Sequence, residues 1–578
     1  MSLRVGEVPD RVDVAVIGSG FGGAVIAEKL AGADLTVCVL ERGKAYPPGT
    51  FPRAPGRVAT NFWDPRNGLH GLFDVWSFRG IDAIVASGLG GGSLIYANVM
   101  LRKPETWFRQ PHPYRPGVEE TWSFTRAELE PHYDAVERFL QVQPLPTAGV
   151  SKPLDPAFAM AKVMHFHAAA TGDVRAAYAP LAVRFRDAAD EPAIGAPIPE
   201  ALYPNMFGRS RRTCRLCGEC DTGCNDGAKS SLDHTYLSAA SHRGASLHER
   251  TEVRTIVRRS DGRFDIGVVV RRPEDEGWQV RTRTLPVDTI VADRVVVAAG
   301  TLGSTHLLLR NAEALGISNP ALGTRFCGNG DLLGFILNVA GQLDGWTGPV
   351  ITSYLQFPDE SDTGSPEDYG MYIQDAGYPE FAAWLVETAI GIRRFPSVAK
   401  LAAAVAISRL RGRQGTSLSD KVSALLGRPL VTTRGMPVLG MGMDVPDGTL
   451  YLRRDDDGML ESTWSRQTSL KYFETLRRRM EALADALGGD FVVNPTYHLN
   501  RVVTVHPLGG CPAATDKSRG VVDGYGRVRG VPGLRVADGS IFPGPIGANP
   551  SLTIAAFADR VAEDMLTEGV GRNGGPDG

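Results

Sequence analysis

The chain opens on apolar blocks separated by glycine. "VDVAVIGSGFGGAVIAEKLAGADLTVCVLERG", residues 12–43, reads as strand, glycine turn, helix and strand, and both strand runs are apolar throughout. Strands covered on both faces have that pattern, so this is a complete βαβ unit. Strand-like runs return at "SLHERTEVRTIVRR" (246–259), "DRVVVAAG" (293–300) and "GLRVADGS" (533–540). The predicted fold is therefore α/β: a Rossmann-like dinucleotide-binding domain assembled from discontinuous segments 1–103, 209–325 and 501–578, plus an α+β substrate-binding domain. The second body takes 104–208 and 326–500, which are rich in proline and aromatics and lack the glycine pattern. Within it, "FPSVAKLAAAVAISRLRGR" (395–413) predicts an apolar helix with a basic end, read as a core or lid helix rather than a membrane-touching face.

Composition narrows the partners. Lys and Arg number 62 against 65 Asp and Glu, a net charge of -3, so no global field favours nucleic acid or an anionic bilayer. No apolar run reaches the roughly 18 to 20 residues of a spanning helix. The opening carries neither a charged-then-apolar signal region nor a twin-arginine sequence, and a cytoplasmic location is expected.

The first candidate site is "GSGFGG". Gly18 makes the tight turn, Gly20 admits a pyrophosphate to the backbone, and Gly23 lets the helix pack on the strand, while the helix N-terminus offers free N–H groups to the anion. Glu41 ends the next strand, where a carboxylate can accept from ribose hydroxyls. A second run, Gly90, Gly91 and Gly92, strips side chains from one stretch of backbone and suits a flat ring or a phosphate lying against it. Near the C-terminus, Asn549 and Pro550 fit the cap and first position of a helix whose positive end would face an anion, such as a reduced flavin.

Together, "GSGFGG", "GGGSLIYANV", "AAGTLGSTHLLLRN", "HPLGGC" and "GANPSLTIAA" resemble the glucose–methanol–choline (GMC) oxidoreductase family, and most closely its cholesterol-oxidase-like branch. The resemblance runs from residue 13 to about 568 and covers the FAD-binding portions better than the substrate-facing ones. It implies an FAD-dependent alcohol oxidase or dehydrogenase. It carries substrate-facing roles onto His506 of the "HPLGGC" motif and Asn549 of the "NP" motif, places Asn98 near the flavin and Val253 at the adenine, and puts Asp538 and Gly539 by the pyrophosphate or ribityl chain. Gly300 falls in the third matching motif. The residue types suit the chemistry: alcohol oxidation removes a hydroxyl proton and a carbon-bound hydride, imidazole can take the first, and an amide can hold the oxygen. His498 has only its proximity to His506 and is read as a spectator.

Two departures are visible. Isomerising steroid oxidases of this branch use a substrate-facing carboxylate, and "TTRGMPVLGMGMD" (432–444) offers no Glu where one is expected. The other is "CRLCGECDTGC": Cys214, Cys217, Cys220 and Cys224 are spaced C-x2-C-x2-C-x3-C, like a bacterial ferredoxin run. An iron–sulfur cluster of the [4Fe–4S] type is the leading reading; structural zinc and free or disulfide thiols stay open. Such a cluster passes single electrons and would relay them from flavin to an external electron acceptor. Reduction of an enone or ketosteroid-like substrate, or a non-catalytic metal-stapled binding protein, are the alternatives. The aromatic-bearing second body suits a large hydrophobic alcohol. Cys38 is read as core, and Cys327 and Cys511 as singletons.

Overall fold

The computed structural model describes the chain apart from residues 1–2, 5–6, 54–59, 116, 150, 171–173, 188–189, 201–202, 281–284, 360–368, 380–433, 455–457 and 571–578. The helix expected at 395–413 lies outside the described residues. Among the described residues, no helix is long and apolar enough to cross a membrane.

The opening unit forms as its pattern requires. β1 (Arg11–Ile17) leads through the glycine turn into α1 (Phe21–Ala31), and β2 (Val37–Leu40) returns beside β1 in parallel, with Val14 opposite Val37 and Ile17 opposite Leu40. Nearly all of α1 is buried, against the C-terminal helix on one side and the sheet on the other. An eight-stranded sheet grows from this pair. β3 (Ser246–His248) joins the outer edge of β2, and β6 (Asp288–Val297) joins β1, both in parallel. β4 (Thr251–Arg258) and β5 (Phe264–Val270) continue beyond β6 as an antiparallel meander. A late strand, Leu534–Val536, pairs in parallel with β6 although it lies more than two hundred residues further along the chain. The result is that β1, β2, β6 and this strand all end on one edge, the side on which parallel α/β sheets bind ligands.

The second sheet has six strands and is antiparallel throughout. Its centre is β7 (Leu332–Leu337), β8 (Ser353–Phe357), β9 (Met371–Asp375) and β10 (Met436–Gly442). Register gives it two unlike faces. Leu333, Leu439 and Gln374 form one cross-strand row, with Phe335 opposite Pro437 beside it; this face looks into the cavity described below. The other face packs on the helix Leu470–Ala486, whose Leu476 lies against Gly440. One hydrophobic core runs through both bodies.

Candidate active site

A cavity of about 1560 Å³ lies between the two sheets. Gly18, Gly20, Glu41, Gly91, Gly92, Val253, Gly300, His506, Asp538, Gly539, Asn549 and Pro550 all line it, although they come from widely separated stretches of sequence. Gly23, Gly90 and Asn98 are not on its wall. Gly23 acts behind it: a Cβ there would lie 2.0 Å from the carbonyl of Gly18, so any side chain would push α1 off the turn.

The two glycine runs pack on each other. A Cβ on Gly91 would sit 2.6 Å from the Cα of Gly20, and Gly91 has a φ of +53°. The close approach leaves the backbone of Gly20 and Gly92 open toward the cavity. Glu41 is buried, and its carboxylate is already organised: Oε2 accepts from the Ser19 backbone at 3.1 Å and hydroxyl at 2.6 Å, and Oε1 from the Gly43 backbone at 2.8 Å. Asp538 accepts from the N–H of Gly300, the first residue of the helix Gly300–Leu315, at 2.9 Å, and from the Ser540 backbone at 2.9 Å. Burial raises its carboxyl above the usual range, against the hydrogen bonds from Ser304 and Ser540 that pull it down.

Whether these residues fit FAD can be tested on Asn98. It is fully buried with φ of 68°, directly behind the wall residues Ala97 and Val99, and neither its amide oxygen nor its nitrogen has a hydrogen-bond partner among the described residues. Buried amides are rarely left this way. An orphaned amide, two bare glycine turns and a carboxylate at the end of β2 fit a dinucleotide carrying a ring system with polar edges.

His506 follows the strand Val502–Thr504, which pairs in parallel with Ile81–Ala86. Its Nδ1 lies 2.8 Å from Oδ1 of Asp331, a carboxylate only 1% exposed, and the other oxygen accepts from the Thr504 hydroxyl and the Val505 backbone, each at 2.9 Å. An ionised carboxylate only accepts, so Nδ1 carries the proton and Nε2 presents a lone pair. Nearby, burial first and the charge of Asp331 further down push the Asp444 carboxyl up to about 8.

Asn549 directly precedes Pro550, and the last helix begins at Ser551. The expectation of a capping role is corrected by its hydrogen bonds: Oδ1 accepts from Gln374 Nε2 at 2.7 Å, and Nδ2 donates back to Gln374 at 3.4 Å. This amide pair leaves one N–H of Asn549 for the cavity. Asp331 and Gln374 were not found by sequence reasoning. Each sits on or beside an apolar strand with no local motif to mark it. His498 is exposed on the short turn Pro495–Leu499 and lies off the cavity wall.

The four clustered cysteines line one small pocket with Lys229, Arg215, Glu219 and Asp226. All seven cysteines are free, which leaves no disulfide in this arrangement. Among the described residues, three or more ligand atoms mutually within 4.8 Å occur only at His132, Asp559 and Glu563, so no three of the four sulfurs are that close. At that place Lys29 already pairs with Asp559 at 2.9 Å. Tetrahedral zinc, with Zn–S of about 2.3 Å, needs sulfur edges of about 3.8 Å, which no three of these sulfurs make. Burial pushes the Cys217 thiol up to about 12 and raises Cys214 and Cys220 as well, so a metal would have to displace protons to bind. The loop is tied to the second body by paired backbone bonds, Gly218 N–H to Gly348 O at 2.8 Å and Gly348 N–H to Leu216 O at 2.9 Å. It is also tied to the large cavity: Asp221, next to Cys220, lines that cavity, and burial raises its carboxyl to about 6 while Lys229 and Lys162 hold it down.

GMC oxidoreductase family profiles match residues 75–327 and 454–558. A cholesterol oxidase of Mycobacterium tuberculosis is 31% identical over 95% of this chain and 90% of its own length, and one of Acinetobacter baumannii is 28% identical over 95% and 93%. Among solved structures, pyridoxine 4-oxidase from Mesorbium loti is similar with a TM-score of 0.55 at 13% identity, covering 96% of this chain and 99% of that one.

Proposed function

The chain belongs to the GMC oxidoreductases, FAD-dependent enzymes of alcohol oxidation, and from that premise we propose that it oxidises a hydroxyl of a large hydrophobic, steroid-like alcohol to the ketone. The observation that carries this reading is the His506–Asp331 pair on the wall of a cavity whose substrate-side face is the apolar row Leu333, Leu439, Phe335 and Pro437. A sugar would leave its hydroxyls unpaired against that row, at a cost of about 1–3 kcal/mol for each buried group. The cholesterol oxidase relatives point to the same substrate class.

His506 Nε2 accepts the hydroxyl proton. Asp331 holds the ring in the tautomer that can do so and stabilises the charge that develops on it. Asn549, fixed by Gln374, donates its remaining N–H to the substrate oxygen. FAD, when bound, supplies the acceptor for the carbinol hydride. It would be held by the turns at Gly18–Gly23 and Gly90–Gly92, by Glu41 and Val253 toward the adenosine, by Gly300, Asp538 and Gly539 along the phosphates, and by Asn98 and the helix after Pro550 at the ring. An iron–sulfur cluster on Cys214, Cys217, Cys220 and Cys224 would supply a one-electron outlet to an external acceptor, consistent with a cytoplasmic compartment that keeps thiols reduced.

The test is anaerobic mixing of the purified yellow protein with a 3-hydroxysteroid and, separately, with sugar alcohols. Bleaching of the flavin by the steroid alone is expected. Bleaching by sugars with none by the steroid would overturn the substrate class.

A further inference from the structure

The cysteine pocket carries several charged side chains, and most of them pair with one another. Arg215 bonds Asp226 at 2.7 Å, and Glu219 bonds Arg53 at 2.9 Å. Lys229 is the exception. It is 2% exposed, and its ammonium makes three hydrogen bonds, all to carbonyls: Leu94 at 3.1 Å, Tyr96 at 2.8 Å and Cys220 at 2.8 Å. The Tyr96 ring lies over it at 4.7 Å. Among the described residues no carboxylate lies within ion-pair distance, although a buried ammonium ordinarily requires an anion. Lys103 also lacks a carboxylate, but two carbonyls and the rings of Trp122 and Phe108 enclose it and it borders neither pocket. Lys162, the third fully buried lysine, has Asp375 at 3.7 Å. Of the three, only Lys229 lines the pocket of the four cysteines.

Its position is also directional. Two of its three acceptors belong to the turn whose Ile95 and Tyr96 line the large cavity, and the third is the carbonyl of Cys220. One ammonium therefore ties the cysteine loop to the wall of the proposed flavin site and places a positive charge between them.

We propose that Lys229 is the fixed counter-charge of an anionic metal–thiolate centre at the four cysteines, raising the reduction potential of that centre. This rests on the iron–sulfur reading above. A nearby fixed positive charge stabilises the form that holds one more electron, so the centre becomes the better acceptor for an electron leaving the flavin side, with an external one-electron carrier as the final oxidant.

The experiment is a redox titration followed by electron paramagnetic resonance on wild type, Lys229→Gln and Lys229→Arg, with iron content and flavin occupancy measured in parallel. Gln keeps two N–H donors for the carbonyls and removes the charge; Arg keeps the charge. The expected result is wild-type iron content in all three and, in the Gln variant only, a reduced-to-oxidised ratio about tenfold lower at a given potential, which is about 59 mV for a one-electron couple. Loss of iron in Gln with retention in Arg likewise supports the counter-charge. Unchanged potential in Gln, or iron lost from both variants with flavin retained, overturns it and leaves Lys229 a steric clamp. Absence of iron from the wild type itself overturns the cluster reading, and this proposal with it.

Discussion

Replacing Asp331 by Asn isolates the carboxylate behind His506 at the cost of a single atom exchange. Two donors converge on Oδ2, the backbone N–H of Val505 and the hydroxyl of Thr504, and the backbone donor cannot turn away. The Asn oxygen must therefore occupy that side, which points the new NH2 group at Nδ1 of His506. Nδ1 then becomes an acceptor, the proton moves to Nε2, and the ring presents a donor where the substrate hydroxyl needs an acceptor. The charge-assisted bond at 2.8 Å is lost as well. A hydrogen bond to a charged group contributes about 1.5–3 kcal/mol, which corresponds to a roughly 10- to 150-fold slower proton abstraction. The tautomer change adds to this. The assay is stopped-flow flavin reduction by substrate under anaerobic single-turnover conditions, with flavin content and melting temperature as controls. A rate within threefold of wild type, with flavin fully bound, would refute the orienting role of Asp331.

His506→Ala should keep FAD while hydroxyl oxidation falls by roughly 10²- to 10⁴-fold, the range for general acid–base groups; loss of flavin together with activity would mark a structural histidine instead. Cys217→Ser should abolish the iron signal and slow steady turnover with a one-electron acceptor, yet leave single-turnover bleaching intact, because the dinucleotide site is built from other segments; a mutant that turned over normally with every acceptor and melted normally would remove any role for a centre there. Stability should fall as pH rises from about 4 through 8, because burial holds the Asp444 carboxyl up to about 8: in that window the folded state keeps a proton the unfolded chain has released, at a cost of about a few kcal/mol by pH 8.5. Denaturant melts at pH 5.5 and 8.5 measure this, Asp444→Asn should flatten the difference, and a wild type equally stable at both values contradicts it.

The sequence by itself determined the parts whose physics is local. A glycine turn between an apolar strand and a helix must place backbone N–H groups at the strand end, because the requirement is for φ and for missing Cβ atoms, and both are properties of single residues. The βαβ unit, the bare backbone at Gly91 and Gly92 and the family resemblance were legible for that reason. So was the convergence of four cysteines in eleven positions, since proximity along the chain guarantees proximity in space. What stayed hidden is every residue that acts by facing a partner from elsewhere. Asp331 and His506 are 175 positions apart, as are Gln374 and Asn549; each pair meets only because the antiparallel sheet and the C-terminal segments close on one cavity. The side-chain alternation that turns Gln374 inward beside Leu439 depends on strand register, which no short window encodes. Lys229 lay within five residues of Cys224 and still gave no signal. A lysine among polar neighbours is ordinarily solvated, and only tertiary packing buried this one against three carbonyls on the wall of the cysteine pocket.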